Sequence, residues 1–212
     1  MANTSVLRDK VKQQLLKQIQ QGALQVGKTI NLAALSRATG ISVTPIREAL
    51  SQLEHARILK AIPNRGFVVA RLTPDEAKNI VETIAQLEVM ALENSLFNTV
   101  EIELLISLQT QMVEAKTVAQ SLGHKFQFHN LLIQNCRNKV LLQILQDLKL
   151  RFHFYEHDFI QDSSFFQKMG VQTNAIIEAI ADDNLPTASL ILKMHWMAVL
   201  EQIESQMSVK KG

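Results

Sequence analysis

The chain has 212 residues, 47% of them apolar and 20% charged, with 7 Gly and 4 Pro, which rules against a disordered chain and points to a folded, helix-rich protein of one large or two small domains. No stretch reaches the apolar length of a membrane span, and the N-terminus has no signal-like apolar run, so no membrane partner is expected and a cytoplasmic location is. Charge is divided: residues 1–72 carry eleven Lys/Arg against three Asp/Glu, a net of +8, and the rest carry eleven against seventeen, a net of −6. A polyanionic partner is therefore expected for the first segment only.

From Ser5 to Gln21, Leu7, Val11, Leu15, Leu16 and Ile19 recur at helical spacing, with Gly22 as a stop. Asn31 is placed to cap a short helix bearing Leu32, Leu35 and Ala38, which Gly40 ends. Ser42 or Thr44 caps the next helix, and Pro45 stands in its first turn, where no backbone N–H is needed. Ile46, Ala49, Leu50 and Leu53 form its apolar stripe, leaving Val43, Thr44, Arg47, Glu48 and Ser51 to face elsewhere. The runs ILKAI and GFVVA, separated by Pro63, Asn64 and Arg65 with Gly66 available for positive φ, read as a hairpin with a basic tip. Helix, helix-turn-helix and hairpin in this order make a winged helix-turn-helix over residues 1–72.

Thr73-Pro74-Asp75-Glu76 starts a new helix with a capping threonine, a proline at the first helical position and a glutamate placed to complete a capping box. Beyond it only helical patterns occur, and breaks near Asn98, Gly123, Asn138, Ser163 and Pro186 divide residues 73–212 into six helices. The fold class expected is mainly α, the winged domain being followed by an all-α six-helix bundle. The lone Cys136 cannot form an internal disulfide and reads as a partly buried thiol in a reducing compartment.

In a helix-turn-helix the second helix enters the major groove by its N-terminal residues. Ser42 and Thr44 can donate to phosphate or base, Arg47 adds a charge-assisted donor, and the helix N-terminus adds partial positive charge. The tip residues Asn64, Arg65 and Gly66 make the wing. Double-stranded DNA is the expected partner.

The segment GISVTPIREALSQLEHARILKAIPNRGFVVARLT resembles the operator-binding domain of GntR-type bacterial regulators, in which a Thr-Pro-hydrophobic-Arg-Glu-Ala-Leu run opens the recognition helix and an Arg-Gly-hydrophobic run forms the wing. The acidic helical segment resembles the effector-binding (FCD-type) domain of the FadR subfamily, and six helices point to its VanR-like branch. By this resemblance Thr44, Arg47, Arg65 and Gly66 contact DNA. Val43 and Ala33 stand where relatives place arginines, which alters the expected operator, and Val43 can meet a thymine methyl.

Many such relatives hold a divalent metal in the bundle with one aspartate and three histidines, the first two as Asp-x-x-x-His. The matching run here is KFQFH, with His129 present and Lys125 at the aspartate position; VQTNAIIEAI puts Thr173 at the second histidine, and His195 matches the third. With two of four ligands replaced, and a lysine offering no lone pair, no tightly bound metal or other cofactor is expected, His129 and His195 being the residual candidates. The swap of an anionic ligand for a cation leaves two readings: Lys125 holds an anionic effector beside His129, Thr173 and His195, or Lys125 points outward or the cavity has become a filled core. Ile84 replaces a ligand-binding arginine ahead of Leu87-Glu88, which suits a more apolar molecule. In RFHFYEHDF, His153 and His157 stand four apart, but the glutamate is misplaced for a His-Glu-x-x-His protease motif.

These readings converge on a regulator that binds a palindromic operator as a homodimer under small-molecule control, not an enzyme. Two alternatives are a metal hydrolase built on His129 and His195, which no nucleophile–base arrangement or carboxylate pair supports, and a DNA-binding protein without an effector.

Overall fold

The computed structural model describes residues 2–20, 27–63 and 65–209, and only the backbone of residues 2–5, 16, 19, 20, 154, 157 and 158. The expected Gly22 stop and Asn64 lie outside the described residues. The chain divides into two compact units, Met1–Leu72 and Thr73–Gly212.

In the first unit, α1 (Ala2–Gln20) precedes β1 (Thr29–Ile30), α2 (Leu32–Thr39), α3 (Val43–His55), β2 (Leu59–Ile62) and β3 (Gly66–Val69). α1 lays Val11 and Leu15 against α3, whose Ile46, Ala49, Leu50 and Leu53 are buried at the spacing the stripe predicts. Asn31 caps α2 by accepting from the Ala34 N–H at 3.0 Å, and Gly40 ends it at φ 68°, the left-handed conformation a residue without Cβ adopts at least cost. The cap of α3 is Ser42, not Thr44, which lies within the helix.

The hairpin is present, with Leu59 paired to Val69 and Ile62 to Gly66. A third strand not foreseen in the sequence joins it: β1 pairs with β3, giving the order β1-β3-β2. Two residues are too few for an alternation to show, and Thr29–Ile30 is a strand only because β3 offers it a free edge. Gly66 is required here twice over, by φ 94° and because a Cβ would stand 2.8 Å from the Ile30 carbonyl oxygen.

The second unit is six helices: α4 (Pro74–Glu93), α5 (Thr99–Glu114), α6 (Val118–Ile133), α7 (Lys139–Phe159), α8 (Ser164–Ala181) and α9 (Leu185–Val209). Side-chain oxygens of Thr73, Asn98, Thr117 and Asn138 cap the first four. The capping box forms at α5, between Asn98 and Glu101. At α4 the Glu76 carboxylate takes the Arg151 guanidinium instead of returning to the cap, since a cation nearby outbids a neutral N–H.

The break expected near Gly123 is not there. Gly123 lies inside α6, and the chain turns earlier, at Ala115–Thr117. A glycine in a helix costs only about 1 kcal/mol, far less than the burial of Leu122, Phe128 and Leu132 on the same helix returns.

α4 packs on α6, α7 and α9, and α7 also packs on α6 and α9, so these four helices enclose one centre. α5 and α8 pack on each other and on α6 and α9 respectively. Cys136 is buried and free. Among the described residues no helix is long and apolar enough to cross a membrane.

Candidate functional sites: the recognition helix and the bundle centre

At the start of α3, Ser42 has an extended backbone and makes no side-chain capping bond, so its hydroxyl is not spent on the helix. Val43 is 39% exposed, and Thr44, Arg47 and Glu48 are exposed, while Pro45 and Ile46 are buried. The helix thus turns its apolar side inward and presents a hydroxyl, a methyl-bearing side chain and a guanidinium at its N-terminal end, where the backbone N–H groups also point. In the wing, Arg65 is exposed at the turn, where its N–H donates to the Ile62 carbonyl at 3.0 Å, and Gly66 opens β3. No described polar or charged side chain of residues 1–72 is buried.

The bundle centre is built the opposite way. Glu88, on the buried side of α4, is wholly enclosed and accepts three hydrogen bonds: from Lys149 Nζ of α7 to Oε1 at 2.8 Å, and from His129 Nδ1 of α6 and Trp196 Nε1 of α9 to Oε2 at 2.7 and 2.6 Å. A second pair lies beside it, Lys125 Nζ donating to Glu156 Oε1 at 2.6 Å, with the ammonium 4.4 Å from the centre of the Trp196 ring. His153 Nδ1 is 3.5 Å from the other oxygen of Glu156.

His129 Nε2 is 3.1 Å from His195 Nε2. An ionised Glu88 can only accept, so His129 carries its proton on Nδ1 and its lone pair on Nε2, and His195 Nε2–H donates to it. His195 Nδ1 is then a buried acceptor with no hydrogen-bond partner.

The charges are balanced, two carboxylates against two ammonium groups, and the protonation states follow from burial and neighbours. Burial pushes the Glu88 carboxyl up, but His129 and Lys149 more than offset it and hold it well below the usual carboxylate range. Burial likewise raises Glu156, and Lys125 with His153 brings it down to about 2. Burial lowers both imidazoles: for His129 the Glu88 carboxylate opposes this incompletely, and for His195, held well below 6.5, the neighbouring His129 and the Lys125 ammonium push the same way as burial.

The sequence-predicted residues separate here. Lys125, His129 and His195 come together in this cluster. Thr173, buried on α8, turns its hydroxyl to the Met169 and Gly170 carbonyls of its own helix, at 3.1 Å each. Ile84 is buried on α4 one turn before Glu88. The side chain of His157 lies outside the described residues. Glu88, Lys149, Glu156 and Trp196 were missed, although the first three interrupt apolar stripes at helical spacing: Ile84-Glu88-Ala91, Leu141-Leu145-Lys149 and Phe152-Glu156. An ionisable residue on the buried stripe of a helix is the signal that names them.

The family's metal site does not fit these residues. His129 Nε2 and His195 Nε2 are hydrogen-bonded to each other, the position of the aspartate holds an ammonium, and Thr173 is committed to its own backbone. With both carboxylates of the cluster paired to ammonium groups, two imidazoles are too few free donors for a divalent ion. Among the described residues no group of three or more His, Cys, Asp or Glu is placed to hold one.

Residues 7–69 match the profile of "Bacterial regulatory proteins, gntR family", and residues 79–198, more than half of the chain, match that of the "FCD domain". The chain belongs to the GntR family and carries an FCD domain. It is a helix-turn-helix transcriptional regulator that binds DNA, not an enzyme. This regulator is 32% identical over 150 residues, 66% of each chain, to the "Uncharacterized HTH-type transcriptional regulator YdhC" of Bacillus subtilis. It is 23% identical over 208 residues, 92% of this chain and 94% of the relative, to the "HTH-type transcriptional repressor GlaR" of Escherichia coli. Its fold is shared with E. coli McbR/YncC, at a TM-score of 0.77 and 21% identity over 92% and 97% of the two chains. A GntR regulator from Rhodococcus sp. RHA1 shares it too, at 0.83 and 17% over 97% and 99%.

Proposed function

We propose that this regulator binds a palindromic operator as a homodimer in the cytoplasm, and that a small molecule in the bundle shifts its operator affinity. Ser42, Val43, Thr44 and Arg47 meet the major groove, and Asn64, Arg65 and Gly66 follow the adjacent backbone. The observation that carries the reading is the start of α3, an uncommitted Ser42 hydroxyl and an exposed Arg47 over a fully apolar core, in a unit of net charge +8. One winged helix makes few base contacts, so two copies on two half-sites are needed for high affinity. The six bundle helices support the VanR-like branch.

Lys125, His129, Thr173, His195 and Ile84 are the effector residues of this proposal, His195 Nδ1 being an acceptor open to a ligand donor. No metal is needed. Whatever binds there acts by preferring one of two arrangements of the dimer.

Fluorescence anisotropy with DNA from the regulator's own promoter region, against unrelated duplex at physiological salt, tests the first half. A preference of about a thousandfold or more is expected, and equal binding to both sinks the operator reading. Sedimentation equilibrium tests the dimer, which requires twice the 23.9 kDa of the chain. A thermal-shift screen of small organic acids, sugar acids and fatty acyl compounds, followed by anisotropy with each hit, tests the effector; hits that leave operator affinity unchanged count against it.

A further inference from the structure

Of the two buried lysine–glutamate pairs among the described residues, only one raises a question of use. Glu88 has both oxygens committed, Oε1 to Lys149 and Oε2 to His129 and Trp196. Among the described residues neither oxygen is paired with Lys125. The Lys125 ammonium, 2% exposed, therefore depends on a carboxylate brought from another helix, Glu156 of α7. Among the described residues, that carboxylate and the Trp196 ring face answer its charge. An ammonium with an aromatic face behind it is a seat for a carboxylate, whether that carboxylate belongs to the chain or not.

We propose that Glu156 is a tethered anion filling a carboxylate-binding seat formed by Lys125 and Trp196, and that an anionic effector enters the bundle by displacing it. The inference rests on the reading of the bundle as the effector-binding half of the chain. Tethering gives the Glu156 carboxylate an effective concentration far above that of any dissolved acid. A simple carboxylate at millimolar concentration therefore fails to compete in the native chain, and an effector succeeds only by adding contacts of its own, such as a donor to His195 Nδ1. Displacement also breaks the ion pair that ties α6 to α7, which is how occupancy of the seat becomes a change in packing.

Cutting Glu156 back to alanine removes one methylene and the carboxylate, the heavy atoms of acetate, and leaves Lys125 facing the gap. In full-length Glu156→Ala, the melting temperature followed by Trp196 fluorescence should fall in chloride and recover by roughly 3–6 °C when acetate at tens of millimolar replaces it at equal ionic strength. Acetamide, the neutral isostere, should restore nothing, and the native chain should melt alike in both salts. Adding Lys125→Met should abolish the acetate response. A variant that folds only in acetate is the same result in stronger form. One that folds in neither salt, or melts alike in both, overturns the proposal, as does a native chain that responds as strongly. Promoter-DNA anisotropy on the same samples separates the two readings, because acetate-dependent melting without any change in DNA affinity leaves the seat standing and removes the effector role.

Discussion

The two units of this regulator treat charge in opposite ways. Among its described residues the first buries apolar side chains alone and leaves Arg37, Arg47, Arg57, Lys60, Arg65 and Arg71 exposed. The second, net acidic, encloses Glu88, Lys125, Lys149 and Glu156 at its centre, each with a partner of opposite sign. Exposed cations remain hydrated and screened, cost the fold almost nothing and stay available to phosphates. Enclosed ones are desolvated, so each must be answered within about 3 Å by a group the fold itself supplies. The difference separates a surface made to meet a partner from a core made to be specific about its own arrangement.

The sharpest way to break this contrast is to remove one buried partner. Glu88→Ala strands Lys149, His129 and the Trp196 N–H, and should cost about 3–5 kcal/mol. The only tryptophan of the chain is Trp196, so urea unfolding followed by its fluorescence reads the bundle directly. A loss below about 1 kcal/mol would mean the centre is not paired as described.

Arg47→Ala makes the opposite experiment. Operator binding should weaken by about 1–3 kcal/mol, and Arg65→Ala should lower the slope of log affinity against log salt by about 1. The urea midpoint followed by far-UV circular dichroism, which reports the helices of both units, should not move in either variant, and a shift there would deny that the arginine is free of the fold.

Acidity separates the units next. Burial holds the folded-state pKa of His129 and His195 below the ordinary 6.5, so the native bundle binds fewer protons than the unfolded chain. Their contribution is whole above pH 6.5 and is lost as pH falls through the folded values, by up to about tenfold in the folding equilibrium per pH unit for each group. A further limb belongs to Glu156, ordinarily near 4.5 and held at about 2, whose contribution is lost between those values. Urea midpoints taken from pH 8 to pH 3 should therefore fall below 6.5, and His195→Gln should flatten the first limb. A midpoint that does not change between pH 7 and 5 contradicts the buried neutral imidazoles.

The smallest effect concerns the misplaced helix break. No atom lies within 4 Å of a Cβ built at Gly123, so Gly123→Ala should stabilise the bundle by about 1 kcal/mol, measured as a raised urea midpoint. A neutral or destabilising result would restore the break to that position.

Most of the head was legible from residue types, because Asn31, Gly40, Pro45 and the Ile46–Leu53 stripe act within one or two turns of their own position. β1 was not, since Thr29 and Ile30 acquire strand geometry only from Val68 and Phe67 opposite them. In the bundle, the cap at Thr73 and the breaks at Asn98 and Asn138 could be read, whereas Gly123 misled because the burial around it outweighs its propensity. His129, Lys125 and His195 are legible through the resemblance to a metal site, whereas Glu156 fits no His-Glu-x-x-His spacing and stands out only as an interruption of the apolar stripe it shares with Phe152.

What the sequence determined unaided was the order of the helices and the hairpin, the mainly helical class and the division of charge, all of which come from local spacing or from simple sums along the chain. What only the tertiary structure decided was the set of partners. Lys125 meets Glu156 across 31 positions, Glu88 meets Lys149 across 61, and His129 meets His195 across 66. Those distances close only when α4, α6, α7 and α9 pack around one centre, and until they do, a buried charge has no partner that its neighbours in the sequence could reveal.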